Sequence, residues 1–429
     1  MRHLQIGFAG LFCCAIAATD AVGVQAEERI AVELRETAGI RRFQFPVAVQ
    51  LTLAKPVPRE TTFRLLSDDK PVLAQFRTAE QGDNVAKWWL DFPVNLLPYQ
   101  SLVYEVEYGG DVPEGPNRTR GHKLVESDDA FQIVNDPYIT WSVQRNLKGL
   151  LRSVHAGDLE YLRPDSTGLF LRDRDGTDHS LGGNPTGRES ARVIRQGPLA
   201  VGLRFEFVET DPELENVRST VDLVFPVFKS WVEVDWRIDD PQGKLAGAGA
   251  KLETNLHEPT RQAPTLVDFG ATSLVYLALR SGQQTRLDGG PHVRESSRQA
   301  DGGLFHTWEV LRGKPDQLEP FVFGPRQSDG GAAPEGWAHV MGRRRCLAIA
   351  VDGFARDTED HLSVSAEGTV EVYRQFAARD ANGRPETKPL RFWLHCVPFP
   401  PQQTAATSPQ SMQTPIVTRV LREASRDSQ

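Results

Sequence analysis

Between Ala191 and Asp240 the chain alternates apolar and charged residues three times over. Leu199, Val201, Leu203, Phe205 and Phe207 take every second position around Arg204 and Glu206; Val217, Val221, Leu223 and Phe225 alternate with Arg218, Thr220 and Asp222. Val232, Val234, Trp236 and Ile238 then alternate with Glu233, Asp235 and Arg237. A period of two puts successive side chains on opposite faces of a strand, so each stretch predicts a strand with one apolar and one charged face. Three in succession predict an antiparallel sheet that covers a core on one side. The charged side, carrying Arg204, Arg218, Asp222, Glu233, Asp235 and Arg237, meets either plain solvent or a polar ligand.

The same signal recurs along most of the chain. Phe43 to Leu53, Phe63 to Leu66, Val72 to Arg77, Ala86 to Pro93 and Ser101 to Tyr108 predict a first all-β module over residues 27–110, with the consecutive Trp88 and Trp89 facing opposite sides of one strand. Residues 111–121 are rich in Gly, Pro and charge and read as a linker. From 122 to 400 strands follow one another without sustained helical periodicity, which calls for a large two-layer sandwich. Residues 401–429 open with Pro, Gln, Ser and Thr and read as a flexible tail, with Ile416 to Ala424 a short amphipathic helix or a frayed end. The predicted class is all-β, a small barrel followed by an antiparallel supersandwich.

Residues 1–26 look like a signal peptide: Arg2 and His3, an apolar run from Ile6 to Ala18, and small residues before Glu27. Export to a periplasm or the medium is the expectation. No later stretch approaches the roughly 18 apolar residues of a spanning helix. A net charge of −8 without long basic runs argues against a nucleic-acid partner. Two of the four cysteines, Cys346 and Cys396, lie outside the leader, and both a disulfide and two buried thiols fit them.

Candidate chemistry is sparse. Tyr138, Arg145, His155 and Tyr161 bring together residue types that suit proton transfer and carboxylate binding, with Trp141 as a stacking surface, although strand and turn positions also give them structural roles. Trp337, beside Gly336 in a glycine-rich stretch, is a second stacking candidate. Asp173 to Asp178 invites a calcium reading, but lacks the glycine and glutamate spacing of an EF-hand loop, and an Asp-Gly hairpin turn explains it. Asp357 to His361 reads as an exposed acidic turn. No metal or other cofactor is expected.

Several patterns resemble a known family. Phe45 to Val47, the Phe63–Leu66 and Val72–Arg77 pair, Trp88 to Phe92 and Leu97 to Gly109 look like the RIFT-barrel domain of exo-acting rhamnogalacturonan lyases of the YetA-like group. Leu169 to Gly176, Arg195 to Leu199 and Trp231 to Trp236 are similar to parts of the galactose-mutarotase-like supersandwich that follows it there. The resemblance implies fold more than activity, because the lyases continue into an α/α-barrel and this chain stops soon after Pro401. It implies a carbohydrate-associated protein that binds an acidic glycan, with the charged face of the central strands as a sugar-facing floor. A free-standing polysaccharide lyase and a cell-envelope protein docking partners through its tail are the alternatives.

Overall fold

The computed structural model describes residues 28–109, 112–116, 121–182, 188–210, 212–256, 264–293, 304–323, 332–342, 345–377, 386–397 and 409–421. The leader expected over residues 1–26 lies outside them. The described chain is antiparallel β throughout, apart from one short helix at Gln410–Gln413.

The three central strands form as their alternation dictates, at Ala200–Val208, Arg218–Pro226 and Trp231–Asp239, and pair in sequence order. They belong to a nine-stranded sheet that continues from Trp231–Asp239 through Leu390–Val397, Cys346–Val351, Trp337–Met341 and Thr265–Gly270 to Leu274–Leu279. An eight-stranded sheet, running from Asp178–Ser180 to Gln317–Phe323, and a five-stranded sheet over residues 123–160 complete the larger part of the molecule. Their apolar faces share one core, in which Trp141, Phe205, Phe225, Trp236, Phe269 and Phe392 are almost wholly enclosed. Each such side chain contributes roughly 1.5–3 kcal/mol by leaving water.

The N-terminal part is built of two small sheets, a five-stranded one containing Glu28–Arg35 and Ser101–Gly109 and a three-stranded one containing Arg42–Pro58 and Asn84–Leu96. Its core is not self-contained. Val32, Leu51, Trp88, Phe92 and Val106 are continuous with Trp231, Trp337, Ala348, Ala350 and Trp393, which project from the outer face of the nine-stranded sheet. The N-terminal module therefore sits on that face and covers its aromatic end.

Two features differ from the sequence reading. Residues 409–421, expected in a loose tail, return to the N-terminal module: Val417–Leu421 forms an edge strand on Glu28–Arg35, and Met412 and Ile416 are buried in the shared core. Helical spacing of apolar residues gave way there to the free edge of a sheet. Asp360, expected in an exposed acidic turn, is instead buried and held by Arg374.

Cys346 and Cys396 are free and buried. They lie on neighbouring strands, but Cys396 pairs with Leu347 and shares its inward face, whereas Cys346 pairs with Val397 and points the other way. With a side-chain period of two, their Cβ atoms stand on opposite faces of the sheet, which a disulfide cannot span. Both thiols should therefore resist alkylation in the native protein and both react after unfolding without reductant; a cross-linked pair on peptide mapping would contradict this.

Candidate functional site

The charged face of the central strands divides into two environments. Toward one end Asp222 accepts from Arg204 through Nε at 2.6 Å and Nη2 at 2.7 Å, and from Arg237 at 2.7 Å. Arg218 is exposed, and Asp235 stands opposite Asp222 and Arg391 in register. This end is a surface of cross-strand ion pairs, and Asp222→Asn should cost only about 0.2–1 kcal/mol in chemical unfolding.

Toward the other end the face runs under the N-terminal module, and there a cleft of about 480 Å³ opens between the two parts. The sheet supplies Trp231, Glu233, Arg391 and Trp393; the N-terminal module supplies Phe45 and Trp89; Arg195, Asp352 and Gln413 enter from the margins. Strand parity explains this gathering: Trp231 and Glu233 alternate with core residues, and pairing sets His395 opposite Trp231 and Trp393 opposite Glu233.

Three ion pairs stiffen the cleft. Glu233 accepts from Arg391 through Nε at 3.0 Å and Nη2 at 2.6 Å, and its other oxygen accepts from Trp393 Nε1 at 3.3 Å. Burial works to lower the Arg391 guanidinium, but the Glu233 carboxylate outweighs it and holds Arg391 above its ordinary range. Asp91, buried on Asn84–Leu96, is gripped by Arg195 and by Arg77 Nε at 3.1 Å, so a charged contact ties the N-terminal module to the sandwich. Burial and the neighbouring Arg77 push Arg195 down to about 9, and its direct contact with Asp91 argues for a smaller displacement; it is a cation at neutral pH in either case. The third pair, Arg374 with Asp360, also donates to the Asp352 carbonyl at 2.9 Å and so fixes the backbone carrying that carboxylate.

Several hydrogen-bonding atoms of the lining have no partner among the described residues: Arg195 Nη1, Arg391 Nη1, the Asp352 carboxylate and Gln413 Oε1. Indole surface from Trp89 lies beside them, backed by the nearly enclosed Trp231 and Trp393. Trp89 is half-buried with Arg77 5.4 Å above its ring, while Trp231 packs against Phe45 at 5.9 Å with Lys229 5.3 Å from its ring. Burial, with Arg42 nearby, pushes Lys229 down to about 8. Planar apolar surface next to fixed donors and acceptors suits a polyhydroxylated ring, whose C–H face stacks while its edge hydrogen-bonds.

The remaining sequence candidates do not converge. Trp141 is fully enclosed, 5.5 Å from Phe225, and offers no face for stacking. Tyr161 is equally buried, and burial raises its hydroxyl far above the ordinary value, which leaves it no part in proton transfer near neutrality. Tyr138 is exposed on a turn, Arg145 pairs with Glu126, and His155 pairs with Glu160 at 2.8 Å. Trp337 is 8% exposed: it opens a strand rather than a loop, donates to Glu335 at 2.6 Å, and packs so closely on Gly270 that an added Cβ would fall 2.1 Å from its ring. In the stretch read for calcium, Asp173, His179 and Glu213 bring three donor atoms together. One Asp173 oxygen already accepts from the amides of Asp175 and Thr177, however, and the other contacts His179, as an Asp-Gly turn requires.

Of the cleft residues, sequence reasoning singled out Glu233 on the central strands and set Trp88 and Trp89 on opposite faces of one strand, of which Trp89 is the one that reaches the cleft. Arg391 and Trp393 were readable only as parts of a strand, since nothing local pairs residue 391 with residue 235, and Asp352 lies in the turn just after the strand that ends at Val351.

Fold and cleft together define an all-β protein with a polar, aromatic groove between a small N-terminal module and a large sandwich. No family model matches the chain, and no curated protein matches it. Among solved structures, an alpha-mannosidase from Enterococcus faecalis V583 superposes with a TM-score of 0.52 at 11% identity, covering 92% of this chain and 46% of that one. A protein in the glycosyl hydrolase family 38 from Enterococcus faecalis gives 0.53 at 10% identity, covering 92% and 47%. The chain thus spans about half the length of either, and at such identities the likeness is one of fold.

Proposed function

We propose that this is an exported, carbohydrate-associated protein that binds an acidic, uronate-containing polysaccharide in the cleft between the N-terminal module and the sandwich. The observation that carries the reading is the lining: the half-buried indole of Trp89, backed by the nearly enclosed Trp231 and Trp393, beside two arginines whose Nη1 atoms have no hydrogen-bond partner among the described residues. Guanidinium groups held in place by Asp91 and Glu233 present fixed donors to a ligand carboxylate or ring oxygen. The fold shared with the mannosidase supports a carbohydrate context. The reading is of binding rather than cleavage because the Asp91 and Glu233 carboxylates are engaged by arginines and are not presented to a ligand as an acid and base pair.

Affinity gels containing polygalacturonate or alginate should retard the protein, and gels with a neutral glucan should retard it less. Arg391→Met should abolish most of the retardation, while Asp222→Asn leaves it intact. Equal mobility in all gels would sink the reading.

A further inference from the structure

The C-terminal segment forms one wall of the cleft through Met412, Gln413, Pro415 and Ile416, and its main feature is a fixed amide. Gln413 Nε2 donates to three main-chain carbonyls, those of Glu335, Gly336 at 3.3 Å and Val351 at 2.7 Å. An amide so anchored through its nitrogen cannot flip, and Oε1 is left as its acceptor toward the cleft. The Val351 carbonyl leads directly into Asp352, whose carboxylate lines the same cleft and whose backbone is held by Arg391 at its N–H and by Arg374 at its carbonyl. Two acceptors therefore line the same cleft, anchored at consecutive residues 351 and 352, and neither the Asp352 carboxylate nor Gln413 Oε1 has a hydrogen-bond partner among the described residues.

We infer that Asp352 and Gln413 together recognise two adjacent free ring hydroxyls, so the cleft takes a glycan residue with an unsubstituted vicinal diol and rejects one esterified there. The inference rests on the glycan reading and specifies its ligand. An acceptor pair needs O–H donors; O-acetylation removes the hydrogen and leaves both protein acceptors unpaired, the situation in which hydrogen-bonding sites discriminate most strongly. The cleft arginines do not impose this requirement, because they donate to hydroxyl, ester or carboxylate oxygens alike.

The test compares retention of the full chain on polygalacturonate before and after chemical O-acetylation. Wild-type protein should bind the acetylated polymer at least about tenfold more weakly, the scale expected when a hydroxyl-reading site meets an analogue without the hydroxyl. Asp352→Asn and Gln413→Met should weaken binding to the free polymer and reduce that ratio to below about three. Asp352→Asn leaves the anchoring of the C-terminal segment untouched, so it reports on recognition even if Gln413→Met loosens that wall. Equal retention of both polymers by wild-type protein overturns the diol assignment while the glycan reading stands; no retention of either overturns both.

Discussion

Replacing Arg42 by Met should lower the free energy of unfolding by about 3–5 kcal/mol, the usual cost of removing one partner from a buried charge pair. The Arg42 side chain is 1% exposed and that of Glu36 is 0% exposed. Arg42 joins Glu36 at 3.0 Å and donates to the carbonyls of Ser411 at 2.5 Å and Thr414 at 2.7 Å, and to the Thr414 hydroxyl at 3.0 Å. Its loss strands a carboxylate and uncouples the C-terminal wall of the cleft, so reduced protection of the Val417–Leu421 amides from hydrogen exchange should accompany the destabilisation. Burial works to raise the Glu36 carboxyl, but the amides of Tyr99, Ala38 and Gly39 and the Arg42 guanidinium outweigh it and hold it below its ordinary 4.5. A depressed carboxylate contributes stability above its unfolded pKa and loses it as pH falls through the folded value. The contribution of this clasp should therefore be fully present at neutral pH and fade below 4.5, and Arg42→Met should flatten that part of the stability profile. A variant within 1 kcal/mol of wild type, on the roughly 3–5 kcal/mol scale of a broken buried pair, would contradict this account.

Asp91→Ala should be comparably damaging, again by about 3–5 kcal/mol, because it leaves two largely buried guanidinium groups facing each other across the join between N-terminal module and sandwich. The Arg77 and Arg195 side chains are only 15% and 14% exposed, so water cannot replace the lost carboxylate. Adding Arg195→Met to Asp91→Leu should recover part of the stability, since it removes one of the two unpaired guanidinium groups and their mutual repulsion and leaves only Arg77 without its carboxylate; glycan retention should not recover, because the Arg195 donor is gone. Urea unfolding of the two variants separates these terms: a double variant no more stable than Asp91→Ala would show that packing, not charge, holds the join.

Strand alternation made the sheet readable. Period two assigned Val232, Val234 and Trp236 to the core and Glu233 to the opposite face, and the structure has them so. What covers that face was not readable, because coverage depends on which distant strand pairs with which. Leu390–Val397 joins Trp231–Asp239 from about 160 positions away, and only this pairing sets Trp393 and Arg391 beside Glu233. The return of the C-terminal segment escaped for a related reason. Val417–Leu421 has little alternation of its own and becomes a strand by occupying the free edge of Glu28–Arg35, while the polar residues just before it supply main-chain carbonyls for Arg42. Tyr138, Arg145, His155 and Tyr161 are close in sequence, but a hairpin-rich segment distributes such neighbours between core and surface, which separates buried Tyr161 from exposed Tyr138.

Titration of a short uronate oligomer into the protein, followed through tryptophan fluorescence, bears most directly on the cleft. Trp231 and Trp393 lie in its wall beside Arg391, so binding there should quench or shift their emission with a saturable profile. Arg391→Met should weaken the affinity about 30-fold, the effect of losing roughly 2 kcal/mol at a central contact, while Asp222→Asn on the open sheet face should leave it unchanged. Saturable binding that is insensitive to Arg391→Met but lost with Asp222→Asn would place the glycan on the open face and contradict the cleft assignment.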